Sequence, residues 1–462
     1  MPSPSMRMFA SALILAVVGV SLLACGDDEA GDEKTLTVWS LEDVADRVTA
    51  TRALIADFTA RTGTKVDLVT VNEDQFPSLI ATSAAAGELP DVIGSVPLAG
   101  VRTLAGNELL HPSANGEIVE ALGRQTFSAR ALELTADGGR QLAVPSDGWG
   151  QLLVYRKDLF AAAGLPVPDT YEKIAAAAAK LNTGGVAGIT AATSAGDVFT
   201  QQTFEHLALA NNCQLTDDSG SVTLDSPECV EAFRFYGDLM RTASVPGAQD
   251  VDTTRATYFA GKAAMLVWSP FILDELAGLR DDARPTCPQC QADPTYLARN
   301  SGFVTAIKGP NGTQPAQYGE ISSWAVLDDA ADPAKSLVQF MLGDGYPRWF
   351  GMSPEGRFPV RKGTADDPKR FLTAWNASQA GVDRKQPLAQ VYGDDVLAAL
   401  RSSPDSFQRW GLTQGQGKLV GAILGELPVP RALAGVVSGK SDAAAAARRA
   451  KKDVEAIKAG VN

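Results

Sequence analysis

Two histidines, five cysteines and 54 carboxylates are the side chains of this 462-residue chain whose types could do chemistry. His111 precedes Pro112, and His206 lies among Phe204, Leu207 and Leu209, so neither has a partner at metal-ligand or catalytic-triad spacing. No GxSxG or HExxH segment occurs. The run Gly435-Val-Val-Ser-Gly439-Lys440-Ser441 falls one residue short of a phosphate-cradling loop, and Gly415, Gly417 and Gly421 miss the dinucleotide spacing by one. The expectation is no cofactor and no metal. Glycoside hydrolysis needs only two carboxylates, so an exported glycoside-active enzyme stands as the alternative from another class. Against it, most acidic pairs in so acidic a chain are solvated surface.

Seven tryptophans are few enough to take singly. Trp39 closes an apolar run, Trp149 follows Asp147-Gly148, Trp268 closes Met265-Leu-Val and precedes Ser269-Pro270, and Trp324 follows Ser322-Ser323. Ligands of open α/β sheets bind beyond the carboxyl ends of strands. An indole there offers a flat apolar face to the C–H face of a sugar and an N–H to a hydroxyl. Packing in the core is the competing reading for each.

The elements that must position these side chains read as α/β. Leu36–Ser40 is β-prone, 47–62 carries Val48, Leu54, Ile55 and Phe58 at helical spacing before Gly63, 65–71 returns to β-branched residues, 76–86 is helical up to Gly87, and 90–94 is the next strand. Strand, helix, strand, helix, strand predicts a parallel sheet covered by helices. The pattern breaks at 143–150 and resumes with a strand at 152–155. Helices are expected from 170, over 198–210, 227–242 and 254–264, and over a closing alanine-rich stretch, 441–458.

A net charge of −13 offers no counter-charge to a phosphate backbone, so nucleic acid is excluded as a partner. Phe9–Leu23 is unbroken apolar or small sequence ending at Leu22-Leu-Ala-Cys25, the pattern of a secretory signal peptide over 1–24. The Leu-Leu-Ala-Cys box resembles the bacterial lipobox, which implies lipidation of Cys25 and an acidic tether over 25–34. Cys213, Cys229, Cys287 and Cys290 remain. In an exported chain an even set means disulfides first and metal second, and four cysteines allow three connectivities. The sequence-local choice is 213–229 with 287–290. Gln-Ala-Asp-Pro294 after the Cys-Pro-Gln-Cys segment favours a structural staple over a redox dithiol or zinc site.

Longer motifs add to this. Leu36-Thr-Val-Trp-Ser40, Ala53-Leu-Ile-Ala-Asp-Phe58 with Thr62-Gly-Thr-Lys-Val66, Ala85-Ala-Gly-Glu-Leu-Pro-Asp-Val92, Leu153-Val-Tyr-Arg-Lys-Asp-Leu-Phe160, Phe259-Ala-Gly-Lys-Ala-Ala-Met265 and Asp332-Pro-Ala-Lys-Ser-Leu-Val-Gln-Phe-Met341 follow one another in order. In this series the chain resembles the extracellular solute-binding proteins of bacterial ABC importers, in the maltose-binding-like group. The resemblance runs over nearly the whole chain after the leader, and implies two α/β lobes joined by hinge strands with a ligand cleft between them. It implies lobe I over 35–145 and 322–357 and lobe II over 146–321 and 358–462. It further implies a monomer, anchored outside the cytoplasm by Cys25 alone, that captures a small solute, a carbohydrate, for an ABC permease. By matching positions, Trp39, Ser40, Asp74 and Gln75 would line one lobe; Asp147, Trp149, Trp268, Ser269 and Trp410 the other; and Trp324 and Arg357 would sit near the hinge. Arg156 stands where the family usually shows Asn, and the Cys-Pro-Gln-Cys loop is no general family feature. A polyol or glycerophosphodiester is the alternative solute.

Overall fold

The apolar runs Leu36–Ser40 and Val92–Val96, buried on both faces, read as central strands, and they pair side by side in parallel with Val66–Thr70 on the outer flank. The computed structural model describes residues 35–461, apart from the Asp74 side chain. The leader, Cys25 and the tether lie outside the described residues. The helices Ala45–Thr62 and Phe76–Ala86 cross between these strands and end at Gly63 and Gly87, whose φ values of +79° and +70° suit a residue without a side chain. The Asp91 carboxylate fastens the unit, accepting from Thr37 N at 2.8 Å and from Ala331 N at 2.7 Å.

The seven-stranded sheet runs in the order Phe358–Pro359, Val144–Gly150, Gln317–Val326, Val92–Val96, Leu36–Ser40, Val66–Thr70, and Phe407–Gln408 adds alongside Gln317–Val326. The long Gln317–Val326 strand is antiparallel to both of its main neighbours, so the sheet is mixed and only its first three strands follow the parallel expectation. A second sheet of three strands places Leu152–Arg156 between Met265–Trp268 and Ser301–Val304, both antiparallel to it.

Where the sequence pattern breaks, at 143–150, the chain forms the strand Val144–Gly150. Its glycines are dictated by packing. A Cβ on Gly148 or Gly150 would lie 2.9 Å from the Phe407 ring, and one on Gly319, across the sheet, only 1.9 Å from Phe407 Cγ. The helices expected at 198–210 and 227–242 are present as Val198–Ala210 and Pro227–Ala243, while the short one before Met265–Trp268 runs Val251–Phe259. The alanine-rich Ala443–Val461 helix buries Ala446, Ala447 and Ala450, small side chains that admit close approach to Pro227–Ala243 and Pro428–Val437. Among the described residues, no single helix is long and apolar enough to cross a membrane.

The Cys213–Cys229 and Cys287–Cys290 sulfurs lie at bonding distance. The second pair does open a helix, the five-residue Pro288–Ala292, contrary to the expectation of a plain loop, because the Cys287 sulfur accepts from Cys290 N and Pro288 needs no partner at the first helical position.

Candidate functional site

The Leu36–Ser40 strand leads into Leu41-Glu42, where Ser40 Oγ accepts from Glu42 N at 3.2 Å and Ser95 Oγ donates to the Glu42 carboxylate at 2.8 Å. Glu42 meets Arg357, which is 2% exposed, and Arg47 at 3.3 Å. Arg357 also reaches Asp147 Oδ2 at 3.2 Å and lies over the Trp349 ring at 4.9 Å, while Ser146 Oγ and Trp349 Nε1 donate to Asp147 Oδ1 at 2.5 and 2.7 Å. Burial opposes ionisation of Glu42, yet Arg357 and Arg47 prevail and hold it at about 2. Burial wins at Asp147, whose carboxyl is raised although Arg357, Ser146 and Trp349 oppose the shift. The two acids share the Arg357 guanidinium, and Glu42 has Arg47 as well. Burial would lower Arg357, but Glu42 and Asp147 on either side outweigh it and raise it.

Glu320 forms a second buried pair. Its Oε1 accepts from Leu98 N at 2.8 Å, at the start of the Leu98–Gly106 helix where the dipole favours an anion, and Arg409 holds its other oxygen.

Glu42, Arg47, Asp147, Glu320 and Arg357 border a cavity of about 1040 Å³. One side comes from Leu41, Glu42, Arg47, Ser95 and Arg102, on segments around the large sheet, and the other from Phe199, Val251, Ser269 and Phe271, beside the three-stranded sheet. Trp149, partly buried, stands between them, its ring 6.5 Å from Phe271 and 6.0 Å from Tyr318. Arg47 crosses to the Phe271 ring at 5.0 Å. The wall therefore alternates aromatic faces with charged groups whose geometry is fixed by internal pairing, an arrangement suited to a hydroxyl-rich molecule. A groove of about 900 Å³ between the Tyr171–Leu181 and Pro227–Ala243 helices contains none of the anticipated residues.

Of those residues, Asp147, Trp149, Ser269 and Arg357 line the cavity together. The Asp74 side chain lies outside the described residues, and the others are placed elsewhere. Trp39 packs in the core with Leu41, Val71 and Phe76, and Ser40 beside it is buried. Trp324 is fully buried, edge-on to Trp349 at 4.9 Å, in the space Gly94 leaves by having no side chain. Trp410 is buried and donates to Cys213 O at 2.8 Å. Trp268 donates to Val251 O at 3.0 Å and borders a smaller chamber. Gln75 is exposed on the turn Glu73–Gln75, where it does not reach the cavity. A strand end thus gave the right neighbourhood, but each of these rings turned to whichever side offered apolar contact.

The residues missed were Glu42, Arg47, Phe199, Phe271, Glu320 and Trp349. Glu42 follows a strand directly, so the strand-end rule applied to charged side chains would have found it. Trp349, in Tyr346–Phe350, carried no such signal. The two histidines do local work. His111 Nδ1 accepts from Ala114 N at 3.4 Å at the start of Pro112–Leu122, and buried His206, pushed down to about 3 by desolvation, accepts from Tyr318 N at 3.1 Å. Among the described residues, no group of three or more His, Cys, Asp or Glu is placed to hold a metal ion.

The same two-lobed α/β architecture occurs in solved binding proteins. Maltose-bound T. maritima MalE3 matches with a TM-score of 0.68 at 18% identity, covering 92% of this chain and 99% of that one. The cyclic alpha-maltosyl-1,6-maltose binding protein of Arthrobacter globiformis matches at 0.69 with 19% identity, over 92% and 98%. An ABC transporter solute-binding protein of Agrobacterium radiobacter K84 in complex with ribitol matches at 0.63 with 19% identity, also over 92% and 98%. The chain belongs to the bacterial extracellular solute-binding protein family, whose sequence profile matches residues 42–346. It is 28% identical over 360 residues, 76% of this chain and 78% of the relative, to YcjN of Escherichia coli (strain K12), named for an ABC transporter periplasmic-binding protein. The family places such chains outside the cytoplasm and makes them carriers of solute.

Proposed function

We propose that this chain captures a carbohydrate in the cavity beside Trp149 and delivers it to the permease of an ABC importer, without chemical turnover. The observation that carries the reading is the pairing of Trp149 and Phe271 faces with the prearranged Glu42, Arg357 and Asp147 groups. Flat apolar faces suit sugar C–H surfaces, and fixed polar groups suit hydroxyls. We assign lobe I to 35–145 and 322–357 and lobe II to 146–321 and 358–462, a division in which Phe358–Pro359 and Phe407–Gln408 of lobe II complete the large sheet. Anchoring through lipidated Cys25 and a monomeric state complete the proposal.

The test is a thermal-shift and calorimetric screen with maltose, maltotetraose, monosaccharides, ribitol and a glycerophosphodiester, since a solute that binds only the folded chain raises its melting temperature. Stabilisation by a sugar supports the reading. Stabilisation by ribitol or the phosphodiester alone replaces the solute class, and release of reducing ends from an oligosaccharide overturns the binding role. For the anchor, Cys25→Ser is expected to leave the membrane fraction or remain unprocessed; unchanged partition would refute it.

A further inference from the structure

Next to the cleft, and sharing Arg47, Ser269 and Phe271 with it, lies a chamber of about 210 Å³. Asp274, Glu275 and Glu355 line it, and they are 2%, 6% and 1% exposed. Oε2 of Glu275 and Oε2 of Glu355 are buried with no hydrogen-bond partner. A buried carboxylate oxygen without a donor is expensive, and the Asp274 carboxyl beside these two adds like charge.

The arginines nearby do not settle the account, because each is claimed by another acid. Arg47 pairs with Glu42 at 3.3 Å, Arg280 with Asp282 at 3.0 Å, and Arg255 is divided between Glu275 at 2.8 Å and Asp252 at 2.9 Å. Arg357 and Lys385 also act on Glu355, yet none of these cations donates to Oε2 of Glu275 or of Glu355. In line with this, burial raises Glu275 to about 7, with Arg255 only partly opposing it, and raises Glu355 to about 8, with Asp274 adding to the rise.

We propose that this chamber is a subsite for a protonated amino group, so that the solute entering the cleft is an amine-bearing carbohydrate whose ammonium seats among Asp274, Glu275 and Glu355. The proposal rests on the carbohydrate reading of the cleft and narrows it. An ammonium offers three donors and a full charge to a group of acids in which Oε2 of Glu275 and Oε2 of Glu355 have no donor, whereas a neutral hydroxyl offers one donor, and an N-acetyl group removes the charge.

The test uses the full chain and three matched pairs: glucosamine against glucose, the glucosamine dimer against cellobiose, and the glucosamine dimer against the N-acetylglucosamine dimer, titrated calorimetrically at pH 7. The free amine of at least one pair is expected to bind about tenfold or more tightly than its neutral counterpart. In Glu355→Gln and Glu275→Gln that ratio should fall towards one, with the melting temperature of each ligand-free variant showing that it is folded. Neutral sugars binding as well as, or better than, every amine would overturn the subsite while leaving the carbohydrate reading standing. Failure of every amine to bind also overturns it, and the ratio surviving both substitutions would show that the amine seats elsewhere. Only the additional failure of all neutral sugars removes the parent reading.

Discussion

The indole N–H of Trp349 donates to Oδ1 of Asp147 at 2.7 Å, joining the Tyr346–Phe350 helix to the Val144–Gly150 strand at the wall of the cleft. Trp349→Phe keeps most of the ring and deletes that donor. The expected cost is about 1 to 3 kcal/mol, the penalty of a buried acceptor losing one partner. Chemical unfolding of the variant beside the parent measures it, and equal stability would show that Arg357 and Ser146 suffice.

Two tryptophans should respond in opposite ways. Trp149 stands in the cavity wall, so Trp149→Ala is expected to weaken solute binding by roughly tenfold to a hundredfold, about 1 to 3 kcal/mol, with a modest drop in melting temperature. Trp268 is 6% exposed and bonded to Val251 O, so Trp268→Ala should instead cost about 3 to 5 kcal/mol of stability in the ligand-free protein. Melting temperature and affinity read on both variants would expose an interchange of the two roles.

Stability should depend on pH in two windows of opposite sign. Glu42 is held at about 2, below its ordinary 4.5, so its contribution of about 3 kcal/mol is present above about pH 4.5 and is lost as pH falls towards 2. Glu355 is raised to about 8, so its effect runs the other way: stability is fullest below about pH 4.5 and declines as pH rises through 8. Denaturant titrations at pH 3, 5 and 8 should therefore find Glu42→Gln less acid-sensitive than the parent and Glu355→Gln less alkali-sensitive. A parallel profile for either variant would contradict the corresponding assignment.

The Gly319→Ala variant places a methyl group 1.9 Å from Phe407 Cγ, which cannot be relieved by rotating the ring because Gly148 and Gly150 back its far edge. A loss of about 1 to 3 kcal/mol or more is expected from overpacking. Combining it with Phe407→Ala should recover part of the loss, so the double-mutant cycle would show coupling; strict additivity would mean the contact carries no strain.

How far the sequence could be read depended on whether the decisive contact was local. Phe76–Ala86 and Val198–Ala210 were legible to the residue, because apolar spacing and a stop residue are both local signals. Val144–Gly150 was not, since Pro145, Gly148 and Gly150 argue against a strand until Phe407, far along the chain, is known to need their bare backbone. In the cleft, Asp147, Trp149, Ser269 and Arg357 were legible from motif position. Trp39, Trp324 and Trp410 were not, because which face of an indole finds a partner is settled by residues such as Gly94 and Phe204 that no spacing rule connects to them. Glu42 carried a local mark, its place directly after a strand, but among 54 acids that mark stands out only when the strand-end rule is extended from aromatic to charged side chains.

The position of Gln317–Val326 in the large sheet, between Val144–Gly150 and Val92–Val96, has a consequence for the order in which the chain acquires its structure. The amino-terminal strands have an open edge until residues some two hundred positions later arrive to fill it, and the Asp91 carboxylate waits for Ala331 in the same way. Such pairings wait for the later residues to be made, and their high sequence separation slows the closure of the sheet once they are. The last third of the sequence thus acts as the latch that closes the large sheet.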